Sequence, residues 1–145
     1  MLLILTEVKE SKIHGLGVFS SSLVKLGTPV LRYVPGVDSD WTEEQILAMP
    51  EFAQRYLYNY LWKLPRSARY ILDVDHGRYI NHSGSPNLAA FSDAAVAKRD
   101  IQVGEELTID YREFCYTVDP LFDKLNKILH LEEDPFMEKI LEVAQ

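Results

Sequence analysis

At 145 residues, 47% of them hydrophobic and 26% charged, the chain has material for one sizeable core and is too short for two ordinary domains. A formal net charge of −7 excludes a general electrostatic attraction for nucleic acid, which rests on Lys and Arg meeting phosphate, and suits a basic partner instead. The single cysteine, Cys115, excludes an internal disulfide and a cysteine zinc site, and it fits a reduced, intracellular setting.

The N-terminal run MLLILTEVKE is too short to span a membrane and lacks the flanks of a signal peptide, so Leu2–Val8 reads as a first strand. No transmembrane segment or lipidation motif is expected. Ser11–Gly17 is a loop with glycines at 15 and 17, followed by short β segments at Val18–Phe19 and Pro29–Val34. Thr42 then starts a helix, with Gln45 completing a capping box, and Pro50 interrupts it. A second helical stretch from about Glu51 to Trp62 sets Phe52, Tyr56, Tyr60 and Leu57 on one side. The β pattern returns at Tyr70–Val74, Ala94–Ala97 and Glu106–Tyr111. Two helices follow, over Pro120–Leu131 and Pro135–Ala144, each opened by a first-turn proline. The architecture is mainly β with helices (α+β), without repeats or a linker.

Three clusters carry chemistry. His14-Gly15-Leu16-Gly17 follows a strand, and glycine there permits backbone to approach a ligand closely; a simple turn explains the pair equally well. Arg78-Tyr79-Ile80-Asn81-His82-Ser83-Gly84-Ser85-Pro86-Asn87 crowds donors and acceptors onto a bent backbone. Gly104-Glu105-Glu106-Leu107-Thr108-Ile109-Asp110-Tyr111 reads as a turn and a strand that ends in Asp-Tyr.

In this order, and with Ala97-Lys98-Arg99-Asp100-Ile101 ahead of the third, the clusters resemble the SET-domain family of protein lysine methyltransferases over roughly residues 3 to 116. The resemblance implies a SET domain over 1–116 with a helical insertion at about 38–68, and residues 117–145 as a helical extension of the same domain. It implies small curved sheets with a knot-like threading, S-adenosylmethionine (SAM) on one face and a peptide lysine entering from the other. Carried over, His14, Gly15, Leu16 and Gly17 lie along the methionine part of SAM. Asn81 and His82 hold the cofactor, and Arg78 and Tyr79 flank its pocket. Tyr111 matches the catalytic tyrosine, with Tyr33 as a second channel tyrosine and Ile109 beside Tyr111 in the substrate channel.

Departures from the family pattern sharpen these expectations. Gly84 stands where a zinc-binding cysteine occurs in relatives with a post-SET segment, so no metal is expected. Phe114 and Tyr116 become candidates for stacking on adenine. The helices after Pro120 serve as a lid, complete the core, or pair two chains into a homodimer. Ile109 replaces a common Phe or Tyr, which favours a roomier channel and di- or trimethylation. The implied partner is a protein or peptide with an accessible lysine, a histone or another basic protein. The implied location is intracellular: the cytoplasm, or a host nucleus if a bacterium or virus delivers the protein. The alternative is a SET-fold module that binds SAM or peptide without catalysis.

Overall fold

The computed structural model describes residues 1–113 and 119–131. Phe114, Cys115, Tyr116 and the predicted helix at Pro135–Ala144 lie outside the described residues.

The chain opens with an antiparallel hairpin of β1 (Thr6–Glu10) and β2 (Leu16–Ser20), in register from Thr6↔Ser20 to Glu10↔Leu16. The first strand therefore starts four residues later than its apolar run suggests. Its register is fixed by the turn, where the Ser11 N–H donates to the Gly15 carbonyl at 2.9 Å and Gly15 sits at φ +46°. Leu2 bridges to Leu31 instead, and Leu3 and Leu5 are exposed.

β3 (Pro29–Arg32) pairs with β9 (Ala94–Ala97), which pairs with β8 (Leu88–Phe91). The sequence reading missed β8: two alanines dilute its pattern, and its hairpin turns at Ser92, a serine at φ +57°. A third sheet has the order β4-β6-β5, from β4 (Ser39–Trp41), β5 (Trp62–Lys63) and β6 (Tyr70–Leu72). The insertion is thus not purely helical, since strands at both ends of its helices pair with β6. Finally, β7 (Asn81–His82) and β10 (Thr108–Ile109) pair in parallel.

Helix α1 (Glu43–Leu47) is closed by the full Thr42/Gln45 capping box. Helix α2 (Glu51–Tyr60) follows Pro50, as expected, but with a different inward face. Leu57 and Tyr58 are buried with Gln54, whereas Phe52 and Tyr56 are exposed. The reason is local: Gln54 Nε2 donates to the carbonyls of Ile46, Leu47 and Met49, the carbonyls that end α1, and this rotates the Phe52/Tyr56 side outward.

Two cores result. Val18, Val30, Leu88, Ile101, Leu107 and Ile109 belong to a β core. Ile46, Leu57, Leu61 and Tyr70 form a second core with Leu121, Phe122, Leu125 and Leu129 of α3 (Pro120–Leu129). The apolar face of α3 packs into this second core, so the helix completes the core. Asp119 anchors it, capping Leu121 N–H at 3.0 Å while accepting from Tyr70 Oη at 2.6 Å and Lys63 Nζ at 2.5 Å.

One buried carboxyl gives the fold a pH dependence. Asp73 is 2% exposed, faces the Met1 ammonium at 3.4 Å, and is pushed up to about 6, chiefly by burial. The folded chain holds this proton more tightly than the unfolded chain. The contribution to stability is therefore full below the ordinary 3.8 and is lost as pH rises through about 6. Asp73→Asn is expected to gain stability relative to the native chain between about pH 4 and 7, by at most ~3 kcal/mol. Paired thermal melts across that range check it; a constant difference would refute the burial argument.

Candidate active site

The hairpin loop, the Asn-His segment and the Glu-Glu-Leu strand meet at one carboxylate. Leu107 N–H donates to Val18 O at 2.8 Å and Ser20 N–H to Glu105 O at 2.9 Å, which lays residues 105–107 along β2. Glu106 Oε1 then accepts from Ser11 Oγ at 2.7 Å and from Asn81 Nδ2 at 2.9 Å. The Asn81 amide also reaches Leu16 O at 3.0 Å and His14 O at 3.2 Å, sharing two hydrogens among three acceptors. Gly17 makes this possible, because a Cβ there would stand 2.3 Å from Glu106 Oε1. Above Gly15 nothing lies within 4 Å, and His14 and Leu16 are exposed, so the loop backbone is reachable from outside.

A second polar knot holds the parallel pair. Asn87 is fully buried, and its Oδ1 accepts from Thr108 N–H at 2.9 Å. Its Nδ2 donates to Glu106 O at 2.7 Å and Glu105 Oε1 at 3.0 Å. The sequence motif contains this residue, but nothing in the string says that its side chain replaces a missing β-ladder partner. Asn87→Ala leaves a buried N–H and C=O unpaired and should cost about 2–4 kcal/mol, measured by urea unfolding. A loss under about 1 kcal/mol would show that water can take over the role.

Tyr111 follows β10. Its backbone N–H donates to His82 Nδ1 at 3.1 Å, so that nitrogen carries no proton; burial also pushes His82 below its ordinary value, and the ring is neutral near pH 7. The Tyr111 ring packs on His82 with centroids 5.3 Å apart, and its hydroxyl donates to Ile80 O at 2.7 Å. Burial first, and Tyr60 second, push its pKa upward, so the phenol stays protonated and its oxygen serves as an acceptor.

Beside Tyr111 opens a mainly apolar cleft. Ile80, Ile109, Tyr60 and Trp62 line it, together with Ala90 to Ala95 of the β8–β9 hairpin except Phe91. Extended backbone alternates its side chains, so Ile80 and Ile109 face the cleft while their neighbours Asn81 and Thr108 face the Glu106 and Asn87 networks. Of the cofactor candidates among the described residues, Arg78 lines the cleft, whereas His14, Gly15, Leu16, Gly17, Asn81 and His82 do not. Tyr79 rests edge-on against Tyr60 at 5.8 Å, beneath the Arg78 guanidinium at 5.0 Å.

Tyr33 is not among the cleft-lining residues. Its hydroxyl donates to Asp40 Oδ2 at 2.8 Å, Asp40 pairs with Arg69 at 2.7 Å, and its ring meets Trp62 edge-on at 6.5 Å. Burial and the Asp40 contact push Tyr33 up as well, so it backs the wall as a neutral phenol. The second tyrosine in the cleft is Tyr60, at the last turn of α2, a residue that the sequence sets only on one side of the helix with Phe52 and Tyr56. Its sequence signal is faint: it sits one turn after Tyr56, just before the chain leaves the helix at Leu61-Trp62.

Three separated motifs therefore build one junction, with a tyrosine between a loop-and-asparagine network and a cleft. The family model described as the SET domain matches residues 15–112, about two thirds of the chain. The chain belongs to the SET-domain family. It is 31% identical over 110 residues to the Drosophila melanogaster histone-lysine N-methyltransferase trr, covering 70% of this chain. It is 30% identical over 125 residues to the Oryza sativa histone-lysine N-methyltransferase TRX1, covering 71%. The SET chain spans only 4% and 11% of the length of these relatives. Among solved structures, it superposes on Chaetomium thermophilum Polycomb Repressive Complex 2 with a TM-score of 0.64 at 21% identity, over 86% of this chain and 17% of that one, a likeness of fold alone. Among the described residues no group of three His, Cys, Asp or Glu is placed to hold a metal ion, and no helix is long and apolar enough to cross a membrane.

Proposed function

We propose that this SET domain is a SAM-dependent protein-lysine methyltransferase acting on a basic protein such as a histone. The observation that carries the reading is Tyr111, fixed between the cleft on one side and the Gly-x-Gly and Asn-His groups on the other. The residues present fit SAM. An exposed, glycine-bearing loop offers backbone donors and acceptors, with open space over Gly15, and Asn81 and Glu106 hold that loop against β7. His14–Gly17, Asn81 and His82 would hold the cofactor, which when bound supplies an electrophilic methyl group on a sulfonium.

The chain's own part is positioning and water exclusion. Ile80, Ile109, Tyr60 and Trp62 give the cleft apolar walls that a lysine stem can line. Tyr111 Oη, its proton committed to Ile80 O, presents an acceptor that aligns the amine. The amine must be neutral to attack, which costs about 4–5 kcal/mol at pH 7 from a free pKa near ~10.4. A protonated, buried Tyr111 cannot take that proton, so the amine loses it to solvent before entering, helped by the apolar walls. Ile109 in the cleft carries no hydroxyl to order a water, which supports more than one methyl addition.

The test is transfer of labelled methyl from SAM to core histones and to a lysate of the source organism, with SAM binding measured by calorimetry. Label in a protein band supports the enzyme. SAM binding without any label would move the reading to a binding module, and no SAM binding would overturn the assignment of the loop.

A further inference from the structure

The bonds of Tyr111 described so far tie it to one side of the cleft. Its backbone N–H and its hydroxyl donate to His82 and Ile80, in and just before β7. The β8–β9 hairpin lines the cleft as well, and β8 lies in a different sheet from β7 and β10. As the edge strand of its sheet, β8 has outward N–H groups that need acceptors from elsewhere. Side chains make the join at two points. Asn87, just before β8, exchanges bonds with β10: Thr108 N–H donates to Asn87 Oδ1 at 2.9 Å, and Asn87 N–H to Thr108 Oγ1 at 3.3 Å. Further along, Ala90 N–H donates to Glu113 Oε2 at 2.8 Å. The second join is the one beside the cleft, which Ala90 and Tyr111 both line.

Glu113 is preset for this contact. It ends the single 3-10 turn Tyr111–Glu113 and donates its own N–H to Asp110 O at 3.0 Å. Asp110 stiffens the same turn, accepting from Arg112 N–H at 2.9 Å and from the Arg112 guanidinium at 2.6 to 3.0 Å. The turn that carries Tyr111 therefore also carries the carboxylate that reaches Ala90. We infer that Glu113 is a positioning residue of this site: it ties the β8–β9 hairpin to the Tyr111 turn and fixes how far that side of the cleft stands from the Tyr111 hydroxyl. The inference rests on the methyltransferase reading and deepens it. Methyl transfer needs the amine in line with the methyl group, and a misplacement of about 1 Å can cost about 100-fold in rate. A lysine that touches both Tyr111 and the hairpin is held only as well as these two are held to each other. The role asks for an acceptor at the right reach and not for a charge, because a neutral amide oxygen accepts the same N–H.

The experiment uses the full chain with labelled SAM and core histones. Glu113→Ala removes the acceptor, whereas Glu113→Gln keeps an oxygen at the same reach without the charge. In Glu113→Ala, kcat should fall at least about 10-fold while KM and the calorimetric SAM affinity change less than about 3-fold. Glu113→Gln should recover most of the lost kcat. Hydrogen exchange at the Ala90 amide should speed up in Glu113→Ala and stay slow in Glu113→Gln. Melting curves are read in parallel. Should Glu113→Ala fail to fold, Glu113→Asp takes its place with the same expected loss, since it keeps the charge but stops one carbon short of Ala90. A native kcat in the variant that lacks the acceptor overturns the inference, as does unchanged exchange at Ala90. A Gln variant as slow as Ala assigns the effect to charge, and a loss of SAM affinity that matches the loss of rate assigns it to the cofactor; both overturn it. A native chain that transfers no methyl fails the enzyme reading and this inference with it. A native chain that transfers methyl and is indifferent to Glu113→Ala fails the inference alone.

Discussion

Tyr111→Phe is expected to lower methyl transfer at least about 100-fold while the chain stays folded. The magnitude follows from removing one preset polar group at the reacting centre, an effect typically worth two to three powers of ten. The structural cost is small by comparison. Phenylalanine keeps the packing on His82 and the backbone N–H bond to His82 Nδ1, and loses the hydroxyl bond to Ile80 O, about 1 kcal/mol or somewhat more where the carbonyl stays dry. Steady-state rates and thermal melts of the two proteins separate the effects. The pH profile adds a sharper distinction. With Tyr111 held protonated by burial, the rate should climb from pH 7 to about pH 9 as lysine loses its proton to solvent, and the climb should survive in Tyr111→Phe at a lower level. If the mutation flattens the profile with chemistry rate-limiting, the tyrosine is acting as a base. If the rate falls only a few-fold, the positioning role is wrong.

The parts of this site that the sequence displayed are those built from contiguous strings. Arg78 to Asn87 and Gly104 to Tyr111 are each one local segment, and the chemistry of a bent polar backbone is written into them. What the strings do not display is which side chains become partners over long separations. Glu106 looks like one acid in a charged turn, yet it joins Ser11, 95 residues away, to Asn81. Asn87 looks like turn chemistry and serves as a strand's missing ladder partner. The aromatic walls were misread for a related reason. Periodicity located α2 but not its inward face, because Gln54, a polar residue, decides the rotation by closing the carbonyls of α1. Tyr60 consequently turns up in the cleft and Tyr33 behind Trp62, a distinction made by packing of the insertion against β6 and α3. Strand starts shifted where an apolar run had two possible partners, as Leu2 and Leu3 show by pairing with β3 in place of the hairpin.

The two loop glycines allow these arguments to be separated experimentally. At Gly15 the demand is conformational: φ is +46° and a Cβ meets nothing within 4 Å, so Gly15→Ala should cost about 1–2 kcal/mol of backbone strain with its surroundings undisturbed. At Gly17 the demand is space. A Cβ would sit 2.3 Å from Glu106 Oε1 and 3.0 Å from Ser11 Cβ, closer than side chains tolerate. Glu106 would have to swing away, breaking its bonds to Ser11 and Asn81 and releasing the loop from β7. Gly17→Ala is therefore expected to weaken SAM binding at least about 10-fold and to cost ~2–3 kcal/mol, the loss of two charge-assisted contacts with some relaxation. Calorimetric titration of SAM and urea unfolding measure both. The decisive comparison is the double variant. If the clash with Glu106 is the cause, Gly17→Ala should cost little further in a Glu106→Ala background, because the carboxylate it displaces is already gone. Additive losses would instead mean that the glycine is required by the cofactor or by the backbone, and that Glu106 is not the link between the loop and Asn81.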